Sequence, residues 1–268
     1  MTERLAMPIQ TMPIVTRWLQ RAGLTLGLLL CTLAASAQPA ALRIWSAGAA
    51  QAPMTELTQA YSTRQATSLQ VDYAPVGVLM SRLAAGGQPD VLILSQDVAA
   101  AVAQAGWCDA DNTQALGSVG VGVAVKEGAH RPDISSPEAL RQTLLDAKSI
   151  TYINPSKGTS GKHFAEVLQR LGIREAVQSK TTFGEAGYVV EPVARGEVEL
   201  GIQQITEILP VPGVSLLGLL PPALQKNTTY TVCVTRFSPE KIQAKAFMQY
   251  LLEDGAKRIF VAKGFTAP

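Results

Sequence analysis

The sequence predicts an α/β protein with largely parallel sheets, because segments with strand and helix patterns alternate along it. Residues 90–95, DVLILS, form a nearly continuous apolar run that is typical of a strand covered on both faces. Residues 150–172, ITYINPSKGTSGKHFAEVLQRLG, combine a strand, a polar loop and an amphipathic helix. In that helix apolar side chains recur at helical spacing, at Phe164, Val167, Leu168 and Leu171.

The first half of the chain follows the same alternation. Strands are predicted at residues 42–46, 69–74 and 90–95, and helices at 53–67, 78–85 and 96–105. Small-residue loops separate the first two strands from their helices, at Ala47–Ala50 and at Pro75–Gly77. Residues 117–128, GSVGVGVAVKEG, are long, extended and rich in Gly and Val, so we interpret them as a strand that crosses from one lobe to another.

A second α/β unit follows this crossing. Helices are predicted at residues 136–145, 185–195 and 239–252, in addition to the amphipathic helix within residues 150–172. Extended segments are predicted at 181–183, 200–202, 214–220 and 230–235. The chain is therefore long enough, and apolar enough at 47% hydrophobic residues, for one large domain or two lobes.

The N-terminus has the pattern of a secretory signal peptide. Arg17 and Arg21 precede an apolar run, residues 22–35, that is too short for a membrane span, and Ala35-Ser36-Ala37 matches a small-x-small cleavage pattern. An uncleaved anchor is the alternative, but a cleaved signal peptide at residues 1–37 fits the pattern better. We therefore expect a protein exported to the periplasm.

Charge and cysteine content narrow the function. Removal of residues 1–37 lowers Lys+Arg from 23 to 20 and Asp+Glu from 21 to 20, so the mature chain is formally neutral. A neutral chain without a basic run is a poor candidate for nucleic-acid binding. With His130 and His163 as the only histidines, neither a metal site nor a cofactor is expected. For Cys108 and Cys233 two buried thiols are favoured over a disulfide.

The loop at residues 156–161 points to an anion site. Free backbone N–H groups in the first turn of the following helix, with hydroxyls and ammonium groups beside them, favour negative charge. The alternative is an ordinary N-cap with solvated lysines. The loop is not a nucleotide-binding P-loop, because Ser156 stands where a Gly is needed and His163 follows Lys162. His163 is either an anion partner or, as we favour, a polar residue of the first helical turn.

Several segments, in their order along the chain, resemble the molybdate-binding periplasmic proteins of ABC transporters. They are the SAGAA loop, AAGGQPDVLIL, GVGVAVKEG, GTSGKHFAEVLQRLGI, ARGEVELGI and FMQYLLEDGAKRIFVAKGF. The resemblance implies a type 2 periplasmic-binding fold, with two α/β lobes joined by crossing hinge strands (a Venus flytrap architecture) around a buried anion. Lobe 1 would comprise residues 38–118 with 236–268 returning to it, and lobe 2 residues 119–235.

The ligand residues of that family carry over only in part. Serines that follow the first two strands in molybdate binders correspond here to Ala49 and Val76, and a tyrosine corresponds to Gln204. Backbone donors align with Thr159 and Ser160 and with Ala186. Because lost hydroxyl contacts leave oxyanion lone pairs unpaired, an organic di- or tricarboxylate is favoured over molybdate or tungstate. The predicted ligand-binding residues are Gly48, Ala49, Val76, Gly77, Lys157, Thr159, Ser160, Ala186, Tyr188 and Gln204.

The resemblance implies a monomeric, non-enzymatic binding protein that delivers its anion to a membrane permease. Two of the predicted ligand residues have an alternative role: Tyr188 as a core tyrosine and Lys157 as a solvated lysine. A sensor subunit in place of a transporter subunit is a further alternative. A secreted hydrolase is the enzymatic one, with Ser160 beside Lys162 and His163, although the spacing does not match a nucleophile elbow.

Overall fold

Two mixed sheets organise the chain in the computed structural model, which describes residues 41–109 and 112–267. The predicted signal peptide lies outside these residues. The first sheet has the strand order β2-β1-β3-β10-β4. Its strands are β1 Leu42–Ala47, β2 Leu69–Ala74, β3 Val91–Ser95, β4 Gln114–Val119 and β10 Thr228–Val234. Strands β1, β2 and β3 are parallel to one another, and β10 runs antiparallel to β3 and β4.

The second sheet has the strand order β7-β6-β8-β5-β9. Its strands are β5 Val121–Lys126, β6 Ile150–Ile153, β7 Thr181–Gly184, β8 Leu200–Gln204 and β9 Val214–Leu219. Strand β6 is parallel to β7 and β8, whereas β5 is antiparallel to β8 and β9. All residues of β6 and of β8 are buried, as expected for strands with helices on both faces.

Helices follow the parallel strands and cover both sheets. Short 3₁₀ turns at Gly48–Ala50 and Gln96–Val98 lead into two of them. The helices are α1 Gln51–Gln65, α2 Val76–Ala84, α3 Ala99–Gln104, α4 Pro137–Asp146, α5 Thr159–Arg170, α6 Arg174–Gln178, α7 Glu191–Ala194, α8 Ile205–Ile208, α9 Lys241–Leu252 and α10 Asp254–Ala262. None of the helices in the described residues is both long enough and apolar enough to cross a membrane.

Separate hydrophobic cores divide the described residues into two lobes. The first-sheet core includes Leu57, Leu92 and Phe247, and the second-sheet core includes Leu140, Phe164 and Ile202. Two segments connect the lobes: the β4–β5 junction at Gly120 and residues 220–227 before β10. The fold is thus the two-lobed α/β architecture that the sequence predicted.

The positions of three elements differ from the sequence-based expectations. The long crossing strand is two strands, one in each sheet, divided at Gly120. Strand β10 lies inside the first sheet, so the chain returns to lobe 1 at Thr228 and not at residue 236. The helix predicted over residues 185–195 is confined to α7, because Gly187 has a positive φ of 70° and the N–H of Val189 donates to Gln203 Oε1 at 3.0 Å.

The preference for two free thiols was wrong, because Cys108 and Cys233 form a disulfide. Cys108 pairs with Thr235 in an isolated antiparallel bridge beyond the end of β10. Because Cys233 is two residues before Thr235, this pairing brings the Cα atoms of Cys108 and Cys233 to 6.3 Å. That separation lies in the range that a disulfide spans. No local pattern predicts this disulfide, because 125 residues separate the two cysteines.

Candidate functional site

A cavity of about 50 Å³ lies between the two lobes, at the carboxyl ends of β1, β2, β6 and β8. Ligands of open α/β sheets bind at this edge, because the loops that follow parallel strands converge there. Both lobes supply the walls. The described lining residues are Ala47, Gly48, Ala49, Gln51, Tyr73, Ala74, Pro75, Val76, Ile153, Gly158, Thr159, Ser160, Gly187, Gln203, Glu207 and Tyr230.

Helix starts line this cavity on both sides. In lobe 1, the turn at Gly48–Ala50 leads into α1, and α2 begins at Val76 after Pro75. In lobe 2, α5 begins at Thr159 after Gly158. The first N–H groups of a helix have no partner within it, and the helix dipole adds positive potential at the same end. The cavity is therefore suited to negatively charged groups that bind the backbone.

Direct contacts across the cleft hold the lobes together. The N–H of Gly77 in α2 donates to the carbonyl oxygen of Lys157 at 2.8 Å. The hydroxyl of Thr159 at the start of α5 lies 3.2 Å from that of Tyr230 in β10, a side chain that is fully buried. These contacts join backbone and side chains of opposite lobes. The structure is therefore a closed form of the cleft.

Glu207 is the acidic residue of the cavity wall. It belongs to α8, directly after β8, and its Oε1 lies 2.8 Å from the position that a Cβ atom would take on Gly48 of the other lobe. Burial raises the pKa of Glu207 to about 8, and a hydrogen bond from Gln203 opposes this effect. Burial, and in second place Glu207, raise the pKa of both Tyr188 and Tyr230.

Five of the predicted ligand residues meet in the cavity lining: Gly48, Ala49, Val76, Thr159 and Ser160. Gly77 lies at the edge of the cavity, where its N–H donates across the cleft to the carbonyl oxygen of Lys157. The side chain of Lys157 points to the surface and pairs with Glu185. Ala186 and Tyr188 lie in a neighbouring groove of lobe 2, while Gly187 between them reaches the cavity.

Gln204 lies behind the cavity. In the orientation that satisfies both its amide nitrogen and its amide oxygen, Nε2 donates to the carbonyl oxygens of Gly120 at 3.1 Å and Val119 at 3.2 Å. Its Oε1 then accepts from the Thr228 hydroxyl at 3.1 Å. Gln204 thus fastens the two crossing segments. The neighbouring Gln203 lines the cavity instead and holds the Gly187 loop through Gly187 O at 2.9 Å.

His163 is a buried structural residue of α5. Its Nε2 lies 2.9 Å from the carbonyl oxygen of Leu224, and burial lowers the pKa of the imidazole. It does not belong to the described lining of the cavity, and neither does Lys162. Nowhere in residues 41–109 and 112–267 do three or more His, Cys, Asp or Glu side chains form a group that could hold a metal ion.

The fold and the cleft are those of a solute-binding protein of the ABC-transporter type, and comparison with known proteins identifies the family. Residues 42–266 match the family of bacterial extracellular solute-binding proteins, and the chain belongs to this family. The periplasmic molybdate-binding protein of Azotobacter vinelandii has the same fold, with a TM-score of 0.72 at 16% identity over 85% of this chain and 99% of that one. The sequence-based resemblance to molybdate-binding proteins is confirmed.

Two relatives extend this comparison. A putative ABC transporter substrate-binding lipoprotein of Bacillus subtilis, YvgL, is 24% identical over 84% of this chain and 86% of its own length. An aconitate isomerase of a Pseudomonas species is 33% identical over 240 residues, which cover 87% of this chain and 90% of the relative. The expectation that the chain is not an enzyme was wrong, because this similarity extends over nearly the whole of an enzyme.

Proposed function

We propose that the chain captures a small unsaturated polycarboxylate of the aconitate type between its lobes and isomerises it. The observation that carries this proposal is the closed interlobe cavity, which combines helix starts from both lobes with the acid–base group of Glu207. The similarity to an aconitate isomerase supports both the substrate class and the reaction class.

The cavity walls suit a ligand with several carboxylates joined by carbon. The backbone N–H of Val76 at the start of α2 and the backbone N–H groups at the start of α5, with the hydroxyls of Thr159 and Ser160, offer donors to carboxylate oxygens. Ala49 and Val76 are 2% and 5% exposed and offer apolar contact where molybdate binders carry serine hydroxyls. A wall that alternates donors with carbon surface favours an organic anion over a bare oxyanion.

The closed cavity is too small for such a ligand as it stands. A volume of about 50 Å³ corresponds to space for a few water molecules. The lobes therefore part at the crossing segments to admit the polycarboxylate and close around it. Closure expels water, which strengthens the remaining hydrogen bonds and protects a reactive intermediate.

The chemistry of an aconitate isomerisation is an allylic proton transfer. A C–H bond breaks next to a carboxylate, its electron pair forms the new double bond, and a proton is added at the other end of the former double bond. The negative charge that develops is delocalised onto carboxylate oxygens, where backbone N–H donors stabilise it. The step needs an acid–base group and these donors, and it consumes no other reactant.

The cellular setting belongs to the same proposal. The expected signal peptide at residues 1–37 and membership of an extracellular family support a location in the periplasm, where the chain would act as a monomer. Its partner is the membrane permease of an ABC-type uptake system. The similarity to YvgL, a putative ABC transporter substrate-binding lipoprotein, supports this partner.

A thermal-shift screen followed by proton NMR tests this function. The purified mature chain is screened against cis-aconitate, trans-aconitate, citrate, molybdate, tungstate, sulfate and phosphate. A ligand at a hundred times its dissociation constant adds about 2.7 kcal/mol to the free energy of unfolding. We expect this shift with an aconitate isomer, and conversion of that isomer in the NMR spectrum. A shift with molybdate alone, and no conversion, would overturn the proposal.

Matched serine variants locate the site. Ser160→Ala removes a buried hydroxyl of the cavity wall and should weaken aconitate binding about tenfold, since one hydrogen bond to a charged group is worth about 1.5–3 kcal/mol. Ser179→Ala removes an exposed hydroxyl at the end of α6 and should leave binding unchanged. Equal affinities of the two variants would place the ligand elsewhere.

A further inference from the structure

The position of Glu207 places a carboxyl group where a bound ligand must lie. Strand β8 ends at Gln204, and α8 turns its first residues into the cleft, so that Glu207 crosses toward the Gly48 loop of lobe 1. With no side chain at Gly48, the carboxyl approaches the backbone of the opposite lobe. A ligand held between the helix starts would therefore touch this carboxyl when the lobes close.

No other described residue of the lining offers comparable acid–base chemistry. The remaining lining side chains are apolar, or carry hydroxyl, phenol or amide groups. Tyr230 lines the cavity, but burial drives the pKa of its phenol further upward, away from neutrality. Tyr73 also lines the cavity and has its pKa raised by burial. Glu207 is therefore the one side chain of this set that ionises near neutral pH.

The surroundings of Glu207 raise the proton affinity of its carboxylate. Burial is the main cause that brings its pKa to about 8, and the groups that face it are Gln203 from β8, Tyr188 from the Gly187 loop and Tyr230 from β10. All three are uncharged at neutral pH. A carboxylate with weakened solvation and a raised pKa is a stronger base than an exposed one, and general catalysis is most efficient when the pKa lies near the working pH.

Resting on the isomerase function proposed above, we infer that Glu207 is the catalytic residue that moves the proton. Its carboxylate takes the proton from the carbon next to a carboxylate of the bound aconitate-type ligand, and the C–H electron pair becomes the new double bond. The electron pair of the former double bond then forms the C–H bond at the far carbon, with a proton that Glu207 supplies. Glu207 returns to its carboxylate form, and atoms and charges balance.

Variants at position 207 test this assignment with binding and turnover measured separately. Glu207→Gln keeps the size of the side chain and loses the acid–base group. Glu207→Asp keeps the carboxyl group but holds it on a side chain that is one methylene shorter. The control Glu175→Gln makes the same carboxyl-to-amide change at an exposed position of α6. Calorimetry with trans-aconitate measures binding, and NMR in deuterium oxide measures both isomerisation and deuterium exchange at carbon.

For the wild-type chain and Glu175→Gln we expect equal isomerisation and exchange. For Glu207→Gln we expect trans-aconitate binding within about tenfold of wild type and loss of isomerisation and exchange by at least ~100-fold, the range of general acid–base catalysis. For Glu207→Asp we expect an intermediate rate. A folded Glu207→Gln that still isomerises within threefold of wild type overturns the role of Glu207 and leaves the isomerase function standing. A wild-type chain that does not isomerise aconitate overturns both.

Discussion

Oε1 of Glu207 lies 2.8 Å from the position that a Cβ atom would occupy on Gly48, across the cleft between the lobes. Real Cβ atoms do not come this close to an oxygen, so any side chain at position 48 displaces the carboxyl. Because Glu207 is the end of a flexible side chain, it can move without unfolding either lobe. Gly48→Ala should therefore keep the fold and weaken aconitate binding or turnover about tenfold.

The control for this variant is Gly255→Ala in α10, where an added Cβ has only Arg258 at 4.0 Å as a neighbour. Melting temperatures should be within a few degrees of wild type for Gly48→Ala, whereas calorimetry and turnover should differ between the two variants. Unchanged binding and turnover in Gly48→Ala would show that the Glu207 carboxyl does not need its observed position.

The raised pKa of Glu207 makes the stability of the closed form depend on pH. Its ordinary value is 4.5 and its folded value about 8, so the folded state holds the proton more tightly than the unfolded chain. The resulting stabilisation is complete below about pH 4.5 and is lost as the pH rises through about 8. Wild type should therefore lose stability over this interval relative to Glu207→Gln, which has no proton to release.

One pKa unit corresponds to about 1.4 kcal/mol, so a rise from 4.5 to about 8 corresponds to about 5 kcal/mol for a cleft that stays closed. Because opening of the cleft rehydrates the carboxylate, we expect a smaller relative loss, of about 2 kcal/mol. Urea unfolding of both proteins at pH 5 and pH 8.5 measures it. Parallel pH dependence in the two proteins would contradict a half-buried Glu207 that holds its proton in the closed form.

The rate of isomerisation should also depend on the protonation of Glu207. We expect kcat/KM to rise with pH and to level off above about pH 8, where the carboxylate is the main form and can act as the base.

The sequence predicted most of the fold because its strands carry strong local signals. Residues 69–74 form β2 as predicted, and the apolar run at 90–95 contains β3. The amphipathic helix predicted within residues 150–172 also forms, as α5. The errors fall where tertiary contacts decide. Gly120 divides two strands whose sheets differ, and the amide of Gln203 holds residues 187–189 in a loop.

The candidate site was only partly predictable for the same reason. Ala49 was predicted from the resemblance to molybdate-binding proteins, and Thr159 from that resemblance and from the free backbone N–H groups at the start of its helix; both line the cavity. Glu207 was missed because nothing in the local segment QQITEIL marks it as different from a surface glutamate. Its significance depends on Gly48, which is distant in sequence and meets it only when two lobes close.

Gly77 controls how closely the lobes approach. A Cβ atom at this position would lie 2.9 Å from the carbonyl oxygens of both Ser156 and Lys157, which are backbone atoms of the opposite lobe. Unlike a flexible side chain, this backbone cannot move aside without opening the cleft. Gly77→Ala should therefore leave both lobes folded, open the cleft in solution, and weaken aconitate binding by at least about tenfold.

Small-angle scattering with and without aconitate checks this prediction, since an open cleft raises the radius of gyration. Gly255→Ala again serves as the control. A Gly77→Ala variant that binds aconitate as tightly as wild type, with the same scattering curve, would mean that the Gly77–Lys157 contact is not part of the ligand-bound state.

The disulfide between Cys108 and Cys233 should stabilise lobe 1 in an oxidising compartment. It closes a loop of 125 residues that includes the whole of lobe 2, and a cross-link of that span limits the unfolded chain strongly. Reduction should lower the free energy of unfolding by about 2–5 kcal/mol. Urea unfolding with and without a phosphine reductant measures this loss of stability. As a control, the Cys108→Ala, Cys233→Ala double variant should unfold at the same urea concentration as the reduced wild type, whether or not the reductant is present. Equal unfolding midpoints for oxidised and reduced wild type would show that the bond adds nothing to stability.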